Sequence, residues 1–167
     1  MIKSSSNLNI TLNNILKNNR EHLLSTELKK SLKSVKNEGT AFIFTVESIE
    51  QIKKLNLFEK NNAKFVFTED KKLRIGLITK GNHKKTLSHP SINNIIDGKE
   101  TNIISAGYIK IKGKNIFITN KSGHYRPSFK SLKPVKKYIN NLIEEGNNKS
   151  LRVKRINKNS ILNRVIF

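Results

Sequence analysis

Two pairs of short β-branched and aromatic runs, each pair closed by a polar turn, commit this chain to an antiparallel sheet. Lys64–Thr68 and Leu73–Thr79 flank Glu69-Asp70-Lys71-Lys72, and Gly107–Ile111 and Ile116–Thr119 flank Lys112-Gly113-Lys114-Asn115. Runs of this composition fit strands, and a tight polar turn returns the second beside the first. Ile109 and Ile111 alternate with Lys110 and Lys112, which predicts a half-buried strand, whereas Ile116-Phe117-Ile118 predicts a more fully buried one. Ala41-Phe42-Ile43-Phe44-Thr45-Val46 reads as another buried strand.

Helical spacing surrounds these strands. Leu12, Ile15, Leu16, Leu23, Leu24, Leu28, Leu32 and Val35 recur at intervals of three and four across Leu8–Lys36, weakly interrupted at Asn18-Asn19. Ser25 or Thr26 is the expected N-cap of a second N-terminal helix. Ser48–Leu57 predicts a short amphipathic helix. Phe129, Leu132, Val135, Tyr138, Ile139 and Leu142 share one face of a longer helix over Ser128–Glu145. Pro134 is tolerable there only in a first turn, which moves the start toward Leu132. Lys80–Ile104 is the least regular stretch, expected to be a long loop with one helical turn. The reading is an α+β fold: a helical segment over 1–38, a core over 39–146 whose small, mainly antiparallel sheet is built from two hairpins, and a basic amphipathic tail over 147–167. The apolar end of that tail (Ile161, Leu162, Val165, Ile166, Phe167) is expected to dock on the domain or a partner.

Charge then narrows the partners. Thirty-three Lys and Arg face twelve Asp and Glu, a formal net charge of +21. Such an excess attracts polyanions such as RNA, DNA or an anionic membrane. It is equally what drift toward Lys and Asn codons produces, with solubility as its only consequence. Cysteine is absent, which excludes disulfides and thiolate chemistry. No apolar run approaches a bilayer span, and the first residues lack the apolar core of a secretory signal. The expectation is a soluble protein, cytoplasmic or delivered into a host cell without a recognisable signal peptide.

Between Glu100 and Glu144 stand nine Lys or Arg and no Asp or Glu. Within that stretch lies Ser122-Gly123-His124-Tyr125-Arg126-Pro127. His124 exchanges protons near neutral pH; Arg126 grips phosphate through paired hydrogen bonds; Tyr125 stacks or donates its hydroxyl. Ser122 and Gly123 present backbone N–H groups to an anion, and Lys121 and Lys110 add cations. The alternative is structural: His124 and Tyr125 plug the sheet edge while Gly123 supplies a positive φ. Two histidines without acids or cysteines nearby make a poor metal site, so no metal is assigned. His22 is read as structural.

Ordered pieces of Lys64–Leu142 resemble a family found at the ends of large bacterial secreted toxins and effectors, with a similar stretch in plant IQ-motif calmodulin-binding proteins. Phe65-Val66-Phe67-Thr68-Glu69-Asp70 with Leu73-Arg74-Ile75-Gly76 resembles its first hairpin, His89-Pro90-Ser91 its His-Ser-Ser step, and Ala106-Gly107 its Ala-Gly-Glu strand. Asn120–Ser128 resembles its signature turn. Tyr108 stands where the family has an acid, and Pro90 where it has the first serine. The resemblance implies a toxin or effector context and adds His89 and Ser91 as companions of His124.

Three readings follow. One is an enzyme acting on RNA or transferring part of a nucleotide, ribonuclease-like or a nucleotide-dependent transferase. In it His124 is the acid–base, His89, Ser91 and Tyr125 are further catalytic candidates, and Arg126 is the phosphate clamp. No resident cofactor is expected, and a nucleotide co-substrate stays open. The second is a non-catalytic RNA or polyanion binder. The third is an effector that a host protein recognises through the helical N-terminus or the basic tail.

Overall fold

The computed structural model describes residues 14–37, 40–57, 63–79, 87–99 and 101–167. Six strands form one sheet among them: β1 (Ala41–Thr45), β2 (Ala63–Thr68), β3 (Leu73–Ile78), β4 (Ile103–Lys112), β5 (Asn115–Thr119) and β6 (Arg152–Ile156). Their spatial order is β1-β3-β2-β4-β5-β6. Both expected hairpins are present, β2–β3 and β4–β5. Antiparallel pairing of β2 with β4 joins them, Phe65 opposite Gly107, with a bulge near Phe67 and Thr68. β1 extends one edge antiparallel to β3, and β6 extends the other parallel to β5.

Helices cover both faces. On one, Phe65, Phe67, Ile75, Ile109, Ile116 and Ile118 lie under α2 (Ile49–Lys53) and α4 (Leu132–Glu145). α4 buries Leu132, Val135, Ile139, Leu142 and Ile143, the stripe its spacing dictates, and Pro134 falls in its first turn as expected. Ser48 and Gln51 close a capping box on α2. The opposite face carries Ala41, Val66, Ile78, Ile103 and Ala106 beneath Ile92 and Tyr125. α3 (His89–Asp97) packs there on β1–β3, and α1 (Leu24–Leu32) packs on α3. With both faces covered, β2 and β3 are buried throughout, and β4 is more deeply buried than the half-buried strand expected.

β1, expected as a buried strand, is instead an edge strand buried only at Ala41, with Phe42 half exposed. Three further expectations need correction. Lys80–Ile104 is not a loop with one turn: within it, α3 runs for nine residues. Its signals were local: Ser88 caps it by accepting the Ser91 N–H, Pro90 sits in its first turn, and Gly98 ends it at φ +70°. Residues 80–86 and 100, including His83, lie outside the described residues, as do Leu8 and Leu12. The N-terminal helix does not begin on a Ser25 or Thr26 cap. A 3-10 turn over Glu21–Leu23 runs straight into α1, with Leu23 in the cap position. Before it, residues 14–20 form a strap rather than a helix: the Leu16 N–H donates to the Ile103 carbonyl at 2.8 Å, which fixes the path of the chain along the sheet end. The stretch 147–167, expected as a tail, supplies β6 and then α5 (Ile161–Ile166). Ile161, Leu162 and Val165 remain exposed, while Phe167 reaches Tyr108 with ring centroids 6.3 Å apart.

Candidate functional site

The turn after β5 is built from its own side chains. The Arg126 N–H donates to the Ser122 carbonyl at 2.9 Å, and the Tyr125 N–H donates to Ser122 Oγ at 3.2 Å. Asn120 braces the base, donating to the Pro127 carbonyl at 3.0 Å and accepting the Lys158 N–H at 2.9 Å. Gly123 does not supply the positive φ; Arg126 does, at +44°. A bulky non-glycine residue in that region is strained and persists only where its surroundings over-determine it.

The N-terminal strap closes over this turn. Asn19 donates its backbone N–H and its Nδ2 to the His124 carbonyl, at 2.7 and 3.1 Å. The Arg20 guanidinium lies against Gly123, where an added Cβ would sit 3.1 Å from Nη2. Glu27, from α1, meets His124 Nε2 with both carboxylate oxygens, at 2.9 and 2.8 Å. His124 therefore has an acid partner after all. The acid-free stretch 101–143 is neutralised locally by a residue 97 positions away, and no nearby pattern pointed to it.

His89 stands behind the turn at the start of α3. Its Nε2 lies 2.8 Å from the Gly107 carbonyl, and its Nδ1 3.3 Å from Ser122 Oγ. A carbonyl only accepts, so Nε2 carries the proton and Nδ1 offers its lone pair to the Ser122 hydroxyl. Burial holds this imidazole down to about 3, with the Lys64 charge adding to the effect, the Gly107 hydrogen bond opposing it and His124 adding last. Lys64 is itself buried and donates to the Leu87 carbonyl at 2.6 Å, its Nζ 5.9 Å from the Tyr108 ring centre. Tyr108 meets His89 edge-on at 5.8 Å, and burial pushes its hydroxyl up.

The expected site residues thus separate. His89, Ser122, His124 and Tyr125 are brought together, all buried. Ser91 does not face His124; fully buried, it bonds the Ser88 hydroxyl at 2.7 Å within the cap of α3. Lys110 donates to the Ile166 carbonyl at 3.2 Å, and burial, with Lys112 second, lowers its amine; it holds the C-terminal helix. Lys121, Gly123 and Arg126 are exposed, as is Lys130 just beyond. His22 is exposed on the 3-10 turn.

Chemically, the two histidines are unequal. His89 is neutral across the physiological range and too weak a base to take a proton efficiently. His124 holds a carboxylate on Nε2, and its Nδ1 has no hydrogen-bond partner among the described residues. No three His, Asp or Glu side chains converge on one point among the described residues. Asn19, Arg20, Glu27 and Lys64 complete the site and had no local signature. No family model, no curated protein and no solved structure matches this chain.

Proposed function

We propose that this chain is a toxin- or effector-type domain that binds RNA, gripping the phosphodiester backbone with the outer side of the 121–130 turn. One observation carries the reading. Arg126 is held in a left-handed conformation that a glycine would adopt more easily, and its side chain is exposed between Lys121 and Lys130. Such strain also occurs at exposed Lys71 in the β2–β3 turn, so what supports a use for Arg126 is the strain together with the cations around it. Arg20 adds a fourth cation against Gly123, and the net charge of +21 supplies the long-range field. The toxin or effector context rests on the resemblance of Asn120–Ser128 to the signature turn.

Arg126→Gly separates the two roles. The variant is expected to be more stable than the parent by about 1 kcal/mol, because φ is relieved. It is also expected to bind a short single-stranded RNA more weakly, with the salt slope reduced by about 0.7 for the one lost phosphate contact. Fluorescence anisotropy across a salt series reads both the affinity and the slope. Binding unchanged by the substitution, or a wild-type slope near zero, would remove this reading.

The enzyme reading is favoured by a different observation, the Glu27 carboxylate on His124. A carboxylate on one nitrogen orients an imidazole for proton transfer through the other. His124 would be the acid–base and Arg126 the clamp of the transferred or cleaved phosphate. Single-turnover RNA cleavage should then fall in His124→Ala, and its pH profile should move in Glu27→Gln. Cleavage of equal rate in His124→Ala would end it. Recognition by a host protein is less favoured for α1 and β6, which are engaged within the domain; what supports it is the exposed Ile161, Leu162 and Val165 of α5.

A further inference from the structure

Between α4 and β6 lies a groove of about 420 Å³. Lys136 and Glu144 line it from α4, Lys149 and Arg152 from the β6 side, with the apolar Leu151 and Val153 between them. Three cations therefore meet one acid. None of the three is in an ion pair among the described residues, not even with Glu144. Lys149 and Arg152 are exposed and Lys136 is half-buried, so all three are within reach of a ligand. Arg152 Nη1 donates to the Lys149 and Leu151 carbonyls, at 2.6 and 3.1 Å. These bonds hold the guanidinium at the groove, and its five N–H groups leave others to offer.

The groove connects to the turn along one face of β6. Side chains alternate across a strand, so Val153 and Arg155 share the face that α4 covers, about 7 Å apart, while Lys154 points to the other face. Val153 lines the groove, and Arg155 lies over the Phe129 ring with its Cζ 5.0 Å from the centre. Phe129 belongs to the 121–130 turn and precedes the exposed Lys130. Cations thus run from Arg126 and Lys130 through Arg155 into the groove.

We propose that this groove is a second contact for the RNA strand gripped at the turn, with Lys136, Lys149 and Arg152 on its phosphates and Leu151 and Val153 against a sugar or base. The inference rests on the RNA reading and extends its footprint to the far end of α4. Charge complementarity selects a polyanion. The concave shape and the apolar floor select a strand over a flat anionic membrane, which meets only the rim, and over free phosphate, which leaves the floor uncovered. Cations on an edge strand also deter pairing with another chain, but that role treats Lys154 and the groove residues alike.

Fluorescence anisotropy on the full chain tests this with single-stranded RNAs of about four and about ten nucleotides, lengths that span common single-strand sites. The longer RNA should show the steeper salt dependence. In the double variant Lys136→Gln/Lys149→Gln its slope should fall by about 1.4, or about 0.7 for each lost phosphate contact, with a smaller change for the shorter RNA. Lys154→Gln should leave both slopes nearly unchanged. Lys149→Gln alone, with half the effect, serves if the double variant does not fold. A loss in Lys154→Gln equal to that in Lys149→Gln means that only net charge matters, and overturns the proposal. So does an unchanged slope in the double variant; a response to Arg126→Gly would then keep the RNA reading, whereas a wild-type slope near zero removes both. Phosphatidylserine vesicles that lose affinity in the double variant while RNA does not would assign the groove to a membrane and also overturn it.

Discussion

Gly107→Ala is expected to leave almost no folded protein. A Cβ at this position would lie 1.6 Å from the Thr119 carbonyl oxygen and 2.7 Å from its carbon. Both atoms belong to the neighbouring strand, so no rotamer change relieves the clash, and β4 must part from β5 around the Tyr108–Thr119 pair. The same shift withdraws the carbonyl that fixes His89. Together these exceed the roughly 5 kcal/mol at which a single change becomes exceptional, against a typical total of about 5–15 kcal/mol. Gly98→Ala is the comparison. Nothing lies within 4 Å of its Cβ, and only its φ of +70° opposes the change, a penalty of about 1–2 kcal/mol. Denaturant unfolding of the three proteins ranks them, and a Gly107→Ala protein as stable as Gly98→Ala would show that the strands do not approach so closely.

Acid should destabilise the protein well before its carboxylates titrate. His89 has an ordinary value of 6.5 and is held near 3 in the folded chain. Between these values the unfolded chain takes up a proton that the folded chain refuses. Stability is therefore complete above about 6.5 and is lost as pH falls toward about 3. The slope approaches about 1.4 kcal/mol per pH unit, and the whole window has an upper limit of roughly 5 kcal/mol. The depressed carboxyls of Asp97, bonded first by Arg74, and Asp70, bonded first by Thr68, add their loss only as pH falls below their ordinary 3.8. His89→Gln should start less stable at neutral pH and change far less between pH values of about 6.5 and 4.5, a range set by the unperturbed histidine and carboxylate values. Stability measured by urea unfolding at half-unit steps decides this; parallel curves for the two proteins would mean His89 is protonated where it stands.

The strands were legible because each run carries β-branched and aromatic residues between polar turns, and sheet partners within a hairpin are close in sequence. α4 was legible for the same reason, its stripe from Leu132 to Ile143 being a local period. α3 was missed because Asn93 and Asn94 break its apolar pattern, although Ser88, Pro90 and Gly98 marked both ends. β6 was hidden by composition: Arg152, Lys154 and Arg155 read as a solvated tail, while Val153 and Ile156 alone are buried. At the site, His124 and Ser122 were legible in the turn itself, whereas His89 came only through the resemblance, and together with Ser91, which the fold places in the cap of α3 instead. Glu27 and Asn19 were not legible, because a residue's counter-ion across 97 positions has no local spacing to betray it. Tyr108 illustrates the converse: a replacement for an expected acid proves to be a wall of the histidine's chamber, packed between His89, Lys64 and Phe167.

The strap across the turn has a consequence for how the molecule comes into being. Its bonds to His124 join positions 105 residues apart, and Thr119 bonds Asn163 from yet another end of the chain. Contacts so distant in sequence require large loops to close first and form slowly. During synthesis the turn emerges with its neighbours in the hairpin already made, but the final strand has yet to leave the ribosome. The sheet edge at β5 then stands open until β6 arrives, an unpaired template for another chain. Assembly order, rather than final stability, sets the period in which this protein is most vulnerable to aggregation.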